Sequence, residues 1–301
     1  MDLEEFNRKS GTEAQSERDR INQREHCVNI TLLLEAVLIL LLLAVNKYTY
    51  ASTKIHVGAT EKENVILGKW NEKQLDNIIH KGSQIRDLGE RIDFLSGQFL
   101  NASYKESTLI GSINTREVFA INLEGMDCFT YIDYVEAMRL SSSFSEFKEN
   151  LRRVRYQSAK VAFQNRNHFF TDWREFNSGH IDDVTKKVAG EKTKTVVKAL
   201  NKKENGTYFL PGILVKKREI EYIPSNAFDR TIVERLRTGD YVGVYSDMPG
   251  LDVSHTGIIV KDRDKVYLRH ASSREGNRRV VDEDLINYIS NKPGLVVLRP
   301  K

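Results

Sequence analysis

The sequence predicts an α+β domain in which N-terminal helices pack on a C-terminal antiparallel sheet, behind one N-terminal transmembrane or signal segment. Three observations carry this. Helical spacing of apolar residues recurs between residues 70 and 155, strand-like alternation fills residues 241–298, and a continuous apolar run precedes both. The 301 residues are 40% hydrophobic and 29% charged, with a net charge of +4. That balance fits a globular chain with a sizeable core and argues against full disorder, a collagen-like rod or a multi-span membrane protein. The small basic excess does not point to nucleic acid. It suits a solvated surface or an anionic partner.

Residues 1–27 read as a charged tail without an apolar period. Residues 28–45 form the apolar run, with one charged residue, Glu35, around its middle and bounded by Asn46 and Lys47. As a helix it reaches ~27 Å, the short end of a bilayer span. A signal anchor with a cytoplasmic N-terminus is the first reading, and a cleaved signal peptide or a buried core helix are the others. Both leading readings export everything after residue ~50 and attach the chain to the membrane, at least during export, through residues 28–45. Residues 46–64 are a polar linker, and residues 65–301 are the expected catalytic domain.

Within that domain, Trp70–Ile79 and Ile85–Leu95 repeat a helical spacing, the second stopping at Gly97. Ser107–Phe119 reads as extended and loop-like. From Cys128 the apolar positions Phe129, Ile132, Val135, Met138 and Leu140 fit a buried helix, with Asp127 placed to cap it. A further helix covers Ser143–Arg155, whereas Asn165–Trp173 is aromatic and aperiodic. Residues 181–204 are Lys-rich surface structure. Strand signals follow in Thr207–Lys217 and Ile220–Ile223, then a helix in Asp229–Arg237 ending at Gly239. Tyr241–Tyr245, Thr256–Val260, Val266–Arg269 and Leu295–Leu298 are the expected strands of the sheet, with a turn at Asp262–Lys265 and a helix at Asp282–Ile289.

The chemistry centres on one cysteine and two histidines. Of the two Cys in the chain, Cys27 precedes the apolar run and Cys128 stands at a predicted helix start. Unpaired N–H groups and the helix dipole there favour a thiolate and offer an oxyanion donor. His255 opens one strand and His270 closes the next, so an antiparallel hairpin brings both to one edge of the sheet. One imidazole can take the thiol proton while the other orients it. A buried structural Cys is the plain alternative. The seven His include no H-E-x-x-H pair, and neither a metal nor another cofactor is expected.

The order GMDCFTY, GDYVGVYSDMPGLDVSHTGIIV and VYLRHASS resembles the NlpC/P60 superfamily of cell-wall hydrolases, which have papain-like folds. Two further segments, RNHFFTDW and HASSREGNRRVVDEDLINYI, are similar to its N-acetylmuramoyl-L-alanine amidase-like branch, formerly a domain of unknown function. The resemblance covers roughly residues 65–300. It implies metal-free hydrolysis of the amide between N-acetylmuramic acid and L-alanine in peptidoglycan or muropeptides, on the periplasmic side of a bacterial inner membrane. It casts Cys128 as nucleophile, His255 as base and His270 as orienter. Beside these roles, Ser254 is expected to line the cleft and Asp127 to fix the loop or touch substrate. Arg166, His168, Asp172 and Trp173 either hold a sugar–peptide fragment or form a structural cluster around a buried Trp. Asp252 reads as a turn residue, and His56, His80 and His180 as solvated. A stem-peptide endopeptidase, an acyltransferase and a non-catalytic membrane-tethered binder of wall fragments are the competing functions.

Overall fold

The computed structural model of the protein describes residues 63–301. The first half holds β1 (Glu63–Ile66), α1 (Glu72–Ser83), α2 (Leu88–Gly97), β2 (Ser103–Tyr104), β3 (Ile110–Ser112), β4 (Thr115–Asn122), β5 (Gly125–Met126), α3 (Cys128–Arg139) and α4 (Phe144–Arg155). The second half holds α5 (Phe170–Phe176), β6 (Ile181–Asp183), α6 (Thr185–Ala189), β7 (Lys194–Leu200), β8 (Lys216–Pro224), α7 (Arg230–Arg235), β9 (Tyr241–Tyr245), β10 (Val253–Asp262), β11 (Lys265–Ala271), β12 (Val280–Asp284), α8 (Leu285–Ile289) and β13 (Gly294–Pro300). This is the expected α+β arrangement: larger helices first, a large antiparallel sheet last.

The sheet runs β12-β11-β10-β9-β13-β8-β7, with β6 added on β13. Both of its faces are covered. Tyr241 and Tyr245 of β9 face the main core with α1–α5, whereas Val242 and Val244 face a second core with α6, α7 and α8. Hence β9 is buried along its whole length, where sequence alternation alone would leave one face wet. Gly243 is required by this packing, because a Cβ there would lie 2.6 Å from Val253 and 2.7 Å from the Phe170 ring. A small sheet of order β1-β4-β3 lies apart from the main one.

Helix α3 is buried on nearly every side, including polar positions. Its carboxylates are therefore paired. Asp133 takes a hydrogen bond from Arg155 Nε at 2.8 Å and one from Trp173 Nε1 at 3.1 Å. Glu136 takes two from Arg139, each 2.7 Å, and one from Tyr241 at 2.9 Å.

Four local expectations change. Thr207–Lys217 is a loop up to its last two residues, and strand β8 begins at Lys216. Buried Asn201 explains this: it binds the backbone of Leu210 and Ile213, so the loop's polar groups go to a side chain rather than a ladder. A helix emerges from the aromatic stretch at Phe170, with Phe170 and Trp173 buried one turn apart. Seven residues are too few to display a period. The helix expected at Asp282–Ile289 is shortened, because Val280–Asp284 pairs with β11 as an edge strand. Strand β8 extends well beyond Ile220–Ile223. Residues 28–45 and His56 lie outside the described residues, and among the described residues no helix is long and apolar enough to cross a membrane.

The pair Arg155–Asp133 is only 2% exposed on either side. Asp133→Ala strands a buried guanidinium and removes the Trp173 acceptor. We expect it to lower unfolding free energy by about 3–5 kcal/mol. Urea unfolding monitored by tryptophan fluorescence measures this, and a loss below ~1 kcal/mol would show the pair to be dispensable.

Candidate active site

The site forms where two strands stop pairing. The β10–β11 ladder ends at Ile258↔Arg269. Beyond it β10 continues along β9, and β11 continues along β12. The N-terminus of α3 meets this fork: the Thr256 hydroxyl donates to the Cys128 carbonyl at 2.8 Å. A β-bulge lies alongside. Register passes from Val253↔Tyr245 to His255↔Val244, so Ser254 is the extra residue. Gly257 lets β11 approach β10 closely beside the fork, since a Cβ there would come within 2.6 Å of Leu268 and 3.1 Å of His270 Cβ.

Asp127 starts the helix, as its position predicts. Its carboxylate accepts from Phe129 N at 3.0 Å and Thr130 N at 2.7 Å, and the Thr130 hydroxyl in turn accepts from Asp127 N at 3.1 Å. This leaves Cys128 as the first helical residue. The expected thiolate does not follow. Burial, and secondly the Asp127 carboxylate, push the Cys128 thiol up to about 11. The N–H and hydroxyl of Thr256 and the backbone N–H of Cys128 act in the opposite sense without reversing it. The cap that builds the helix start also neutralises its positive end, so the dipole argument fails here.

The two histidines meet. His255 Nε2 lies 2.7 Å from His270 Nδ1, with the rings nearly perpendicular at 86°. Burial holds both imidazoles well below their ordinary range, His255 at about 4 and His270 at about 3. Lys292 and Arg274 depress His255 further, and His255 and Arg274 depress His270. At neutral pH both rings are uncharged, and one proton lies between Nε2 and Nδ1. If His255 carries it, Nδ1 of His255 is a free base and His270 must hold its own proton on Nε2. Tyr288 of α8 packs edge-on to His270 at 5.0 Å. A cleft of about 250 Å³ opens over the pair, lined by Ser254, Ser272, Ser273, Arg274, Tyr288 and Lys292.

Ser254 thus lines the cleft with His255 and His270. The aromatic segment lies elsewhere and its polar groups bind protein. Arg166 clamps Glu117 with contacts of 2.5 and 2.7 Å. His168 Nε2 meets the Phe163 carbonyl at 2.8 Å, and burial lowers its pKa to about 4. Asp172 accepts from Arg218 at 2.7 Å, and Trp173 is completely buried. None of the four borders the cleft. Asp252 is more than a turn residue: buried, it accepts from Thr171 N at 2.8 Å and Thr171 Oγ1 at 2.9 Å, tying the loop before β10 to α5. His180 is partly buried, 3.5 Å from Glu136, whereas His80 is exposed.

Sequence reasoning missed Tyr288, Arg274, Lys292 and Thr256. It also missed Tyr104, near enough to Cys128 and Asp127 that their charges, after burial, raise its phenol to about 12. Only Thr256 carried a usable signal, through its place next to His255. Among the described residues, no three His, Cys, Asp or Glu side chains converge as a metal site would require.

Residues 94–295 match the model of the AmiA-like family, described as N-acetylmuramoyl-L-alanine amidase-like. No curated protein matches the chain. Among solved structures, it is similar to a DUF1460-family protein from Legionella pneumophila, with a TM-score of 0.65 and 22% identity, covering 76% of this chain and 94% of that one. It is similar also to an N-acetylmuramoyl-L-alanine amidase from Bacteroides uniformis, with a TM-score of 0.58 and 24% identity, covering 71% of this chain and 99% of that one. At these identities the likeness is one of fold.

A resting thiol has a measurable consequence. In a Cys27→Ser background, iodoacetamide labelling of Cys128 should climb roughly tenfold per pH unit between about pH 7 and 10. A plateau reached below about pH 8 would mean a preformed thiolate. Asp127→Asn keeps a capping acceptor but removes the charge, and should shift the labelling midpoint to lower pH.

Proposed function

The chain belongs to the AmiA-like, N-acetylmuramoyl-L-alanine amidase-like family, and from that premise we propose that it is a cell-wall hydrolase cleaving the amide between N-acetylmuramic acid and L-alanine in peptidoglycan fragments. The observation that carries the reading is the 2.7 Å contact between His255 and His270 at the fork where Thr256 holds Cys128. Cys128 is the nucleophile, His255 the general base and His270 its orienter. A helix-start Cys held by Thr256, next in sequence to His255 of the histidine pair, supports a papain-like, NlpC/P60 relationship.

The steps follow from a neutral pair. The Cys128 proton passes to His255 Nδ1 as the sulfur attacks the amide carbonyl, so thiolate and imidazolium exist only along the reaction coordinate. The backbone N–H of Cys128, free at the first helical position, donates to the developing oxyanion. His255 then returns the proton to the leaving amine of L-alanine, giving a thioester on Cys128. Water, deprotonated by the same imidazole, hydrolyses the thioester and restores the thiol. His270 accepts the Nε2 proton of His255 and fixes the ring. Arg274 and Lys292 give the cleft a positive rim that suits the carboxylates of a stem peptide. Ser254 contributes to the cleft wall. Arg166, His168, Asp172 and Trp173 serve this reading as scaffold rather than as substrate contacts. On this reading residues 28–45 anchor or export the chain, and the reaction takes place on the periplasmic side of the inner membrane.

Mass spectrometry of defined muropeptides incubated with the purified full chain tests the scissile bond. Release of an intact stem peptide beginning at L-alanine is the expected product, and a cut inside the stem would establish an endopeptidase instead. Cys128→Ala should abolish turnover, and surviving hydrolysis would remove the nucleophile assignment. Because His255 stays neutral down to about pH 4, kcat/KM should not fall near the ordinary imidazole range. It should fall only as pH drops towards 4 and the base becomes protonated.

A further inference from the structure

We propose that Glu283 is a positioning residue forming the far end of a four-membered chain, Cys128–His255–His270–Glu283. It selects the tautomer of His270 and stabilises the imidazolium that forms when the thiol gives up its proton. The inference rests on the functional reading above and deepens it.

The geometry begins with an orphan. His270 is 1% exposed, and its Nε2 is a buried ring nitrogen without a hydrogen-bond partner. Buried polar atoms without partners are costly and call for an explanation. Nearest in charge is Glu283, whose Oε2 lies 3.8 Å away with the side chain 17% exposed. Its place follows from sheet register. Leu268↔Glu283 and His270↔Val281 pair across β11 and β12, so Glu283 shares a sheet face with Leu268 and His270. The carboxylate is already aimed: Arg274 holds Oε2 at 3.0 Å and Asn277 holds Oε1 at 2.7 Å.

The tautomer argument then closes. For His255 Nδ1 to accept the thiol proton, His255 must carry its own proton on Nε2 and donate it to His270 Nδ1. His270 is then protonated at Nε2, the atom that faces Glu283. A carboxylate there favours this arrangement over the reverse one, which would leave His255 Nδ1 protonated and useless as a base. In the reaction, the thiol proton bonds to His255 Nδ1 while the His255 Nε2 proton can shift to His270 Nδ1. No further reactant is needed: the thiol loses one proton, the imidazole pair gains one, and the cation comes to rest beside Glu283. The charged and titratable groups around His270 are His255 on β10, Glu283 on β12, Arg274 in the loop between, and Tyr288 and Lys292 at and after α8. Two are cations that oppose an imidazolium, and Glu283 is the anion that offsets them.

The experiment compares Glu283→Gln and Glu283→Ala with wild type and Cys128→Ala on the same muropeptide. Gln keeps an acceptor for His270 Nε2–H but not the charge; Ala removes both. We expect kcat to fall by about tenfold in Glu283→Gln and by more in Glu283→Ala, with KM changed less than about threefold. Nitrogen-15 NMR of the histidine rings should show His270 protonated at Nε2 in wild type and Glu283→Gln, and a mixed tautomer in Glu283→Ala. A structural role alone would lower Tm and leave kcat and the ring nitrogens of the folded variants unchanged. Wild-type kcat in both variants, or an Nδ1-protonated His270 in wild type, overturns the proposal while an inactive Cys128→Ala upholds the amidase reading. An active Cys128→Ala overturns both.

Discussion

The hydrogen bond from Thr256 to the Cys128 carbonyl is the junction on which the site depends. It links the helix that carries Cys128 to the strand that carries His255. A helix N-terminus presents N–H groups with no partners of their own. Asp127 takes two of them, from Phe129 and Thr130, and the bulge at Ser254 turns β10 as it passes. Cys128 therefore sits where the β10–β11 ladder ends and α3 begins.

That solution fixes the electrostatics. An Asp cap is the strongest way to start α3, yet its charge stands beside the thiol it positions. Raising the thiol and lowering the imidazoles both act against a resting ion pair. Two effects of burial, on an acid and on a base, thus have one outcome: a thiol and two imidazoles that rest uncharged. The geometry can be exact without the charges being present in advance.

Local sequence made part of this legible. Asp127 and Cys128 are readable because a cap acts within three residues, and His255 and His270 because a hairpin register is set by its turn. The unread parts depend on distant chain. Glu283 and Tyr288 gain meaning only once β12 lies beside β11, and two valines followed by three acidic residues do not announce a strand. Thr207–Lys217 looks extended, but Asn201, which folds it into a loop, lies outside it. The thiol's high pKa was hidden for a similar reason. Helix-start reasoning counts the dipole, whereas burial by β10 and the cap's own charge decide the sign. For Arg166, His168, Asp172 and Trp173, residue type suggested recognition as readily as structure; partners such as Glu117, Asp133 and Arg218 arrive from other elements.

The buried ion pairs beneath the site follow from a problem specific to α3. A helix apolar around most of its circumference has no preferred rotation about its axis, because any face packs acceptably. A side chain at the start of such a helix would have no fixed direction. Asp133 and Glu136, one turn apart, remove that freedom. Asp133 reaches Arg155 of α4 and Trp173 of α5, and Glu136 reaches Tyr241 of β9. Turning the helix by even a third of a revolution would break both sets and leave charges buried without partners, several kcal/mol each. Replacing these residues with apolar ones of similar volume need not weaken the fold. It would remove the reference that aims Cys128 at the fork. Burying carboxylates in this helix is thus a constraint on direction first and a source of stability second.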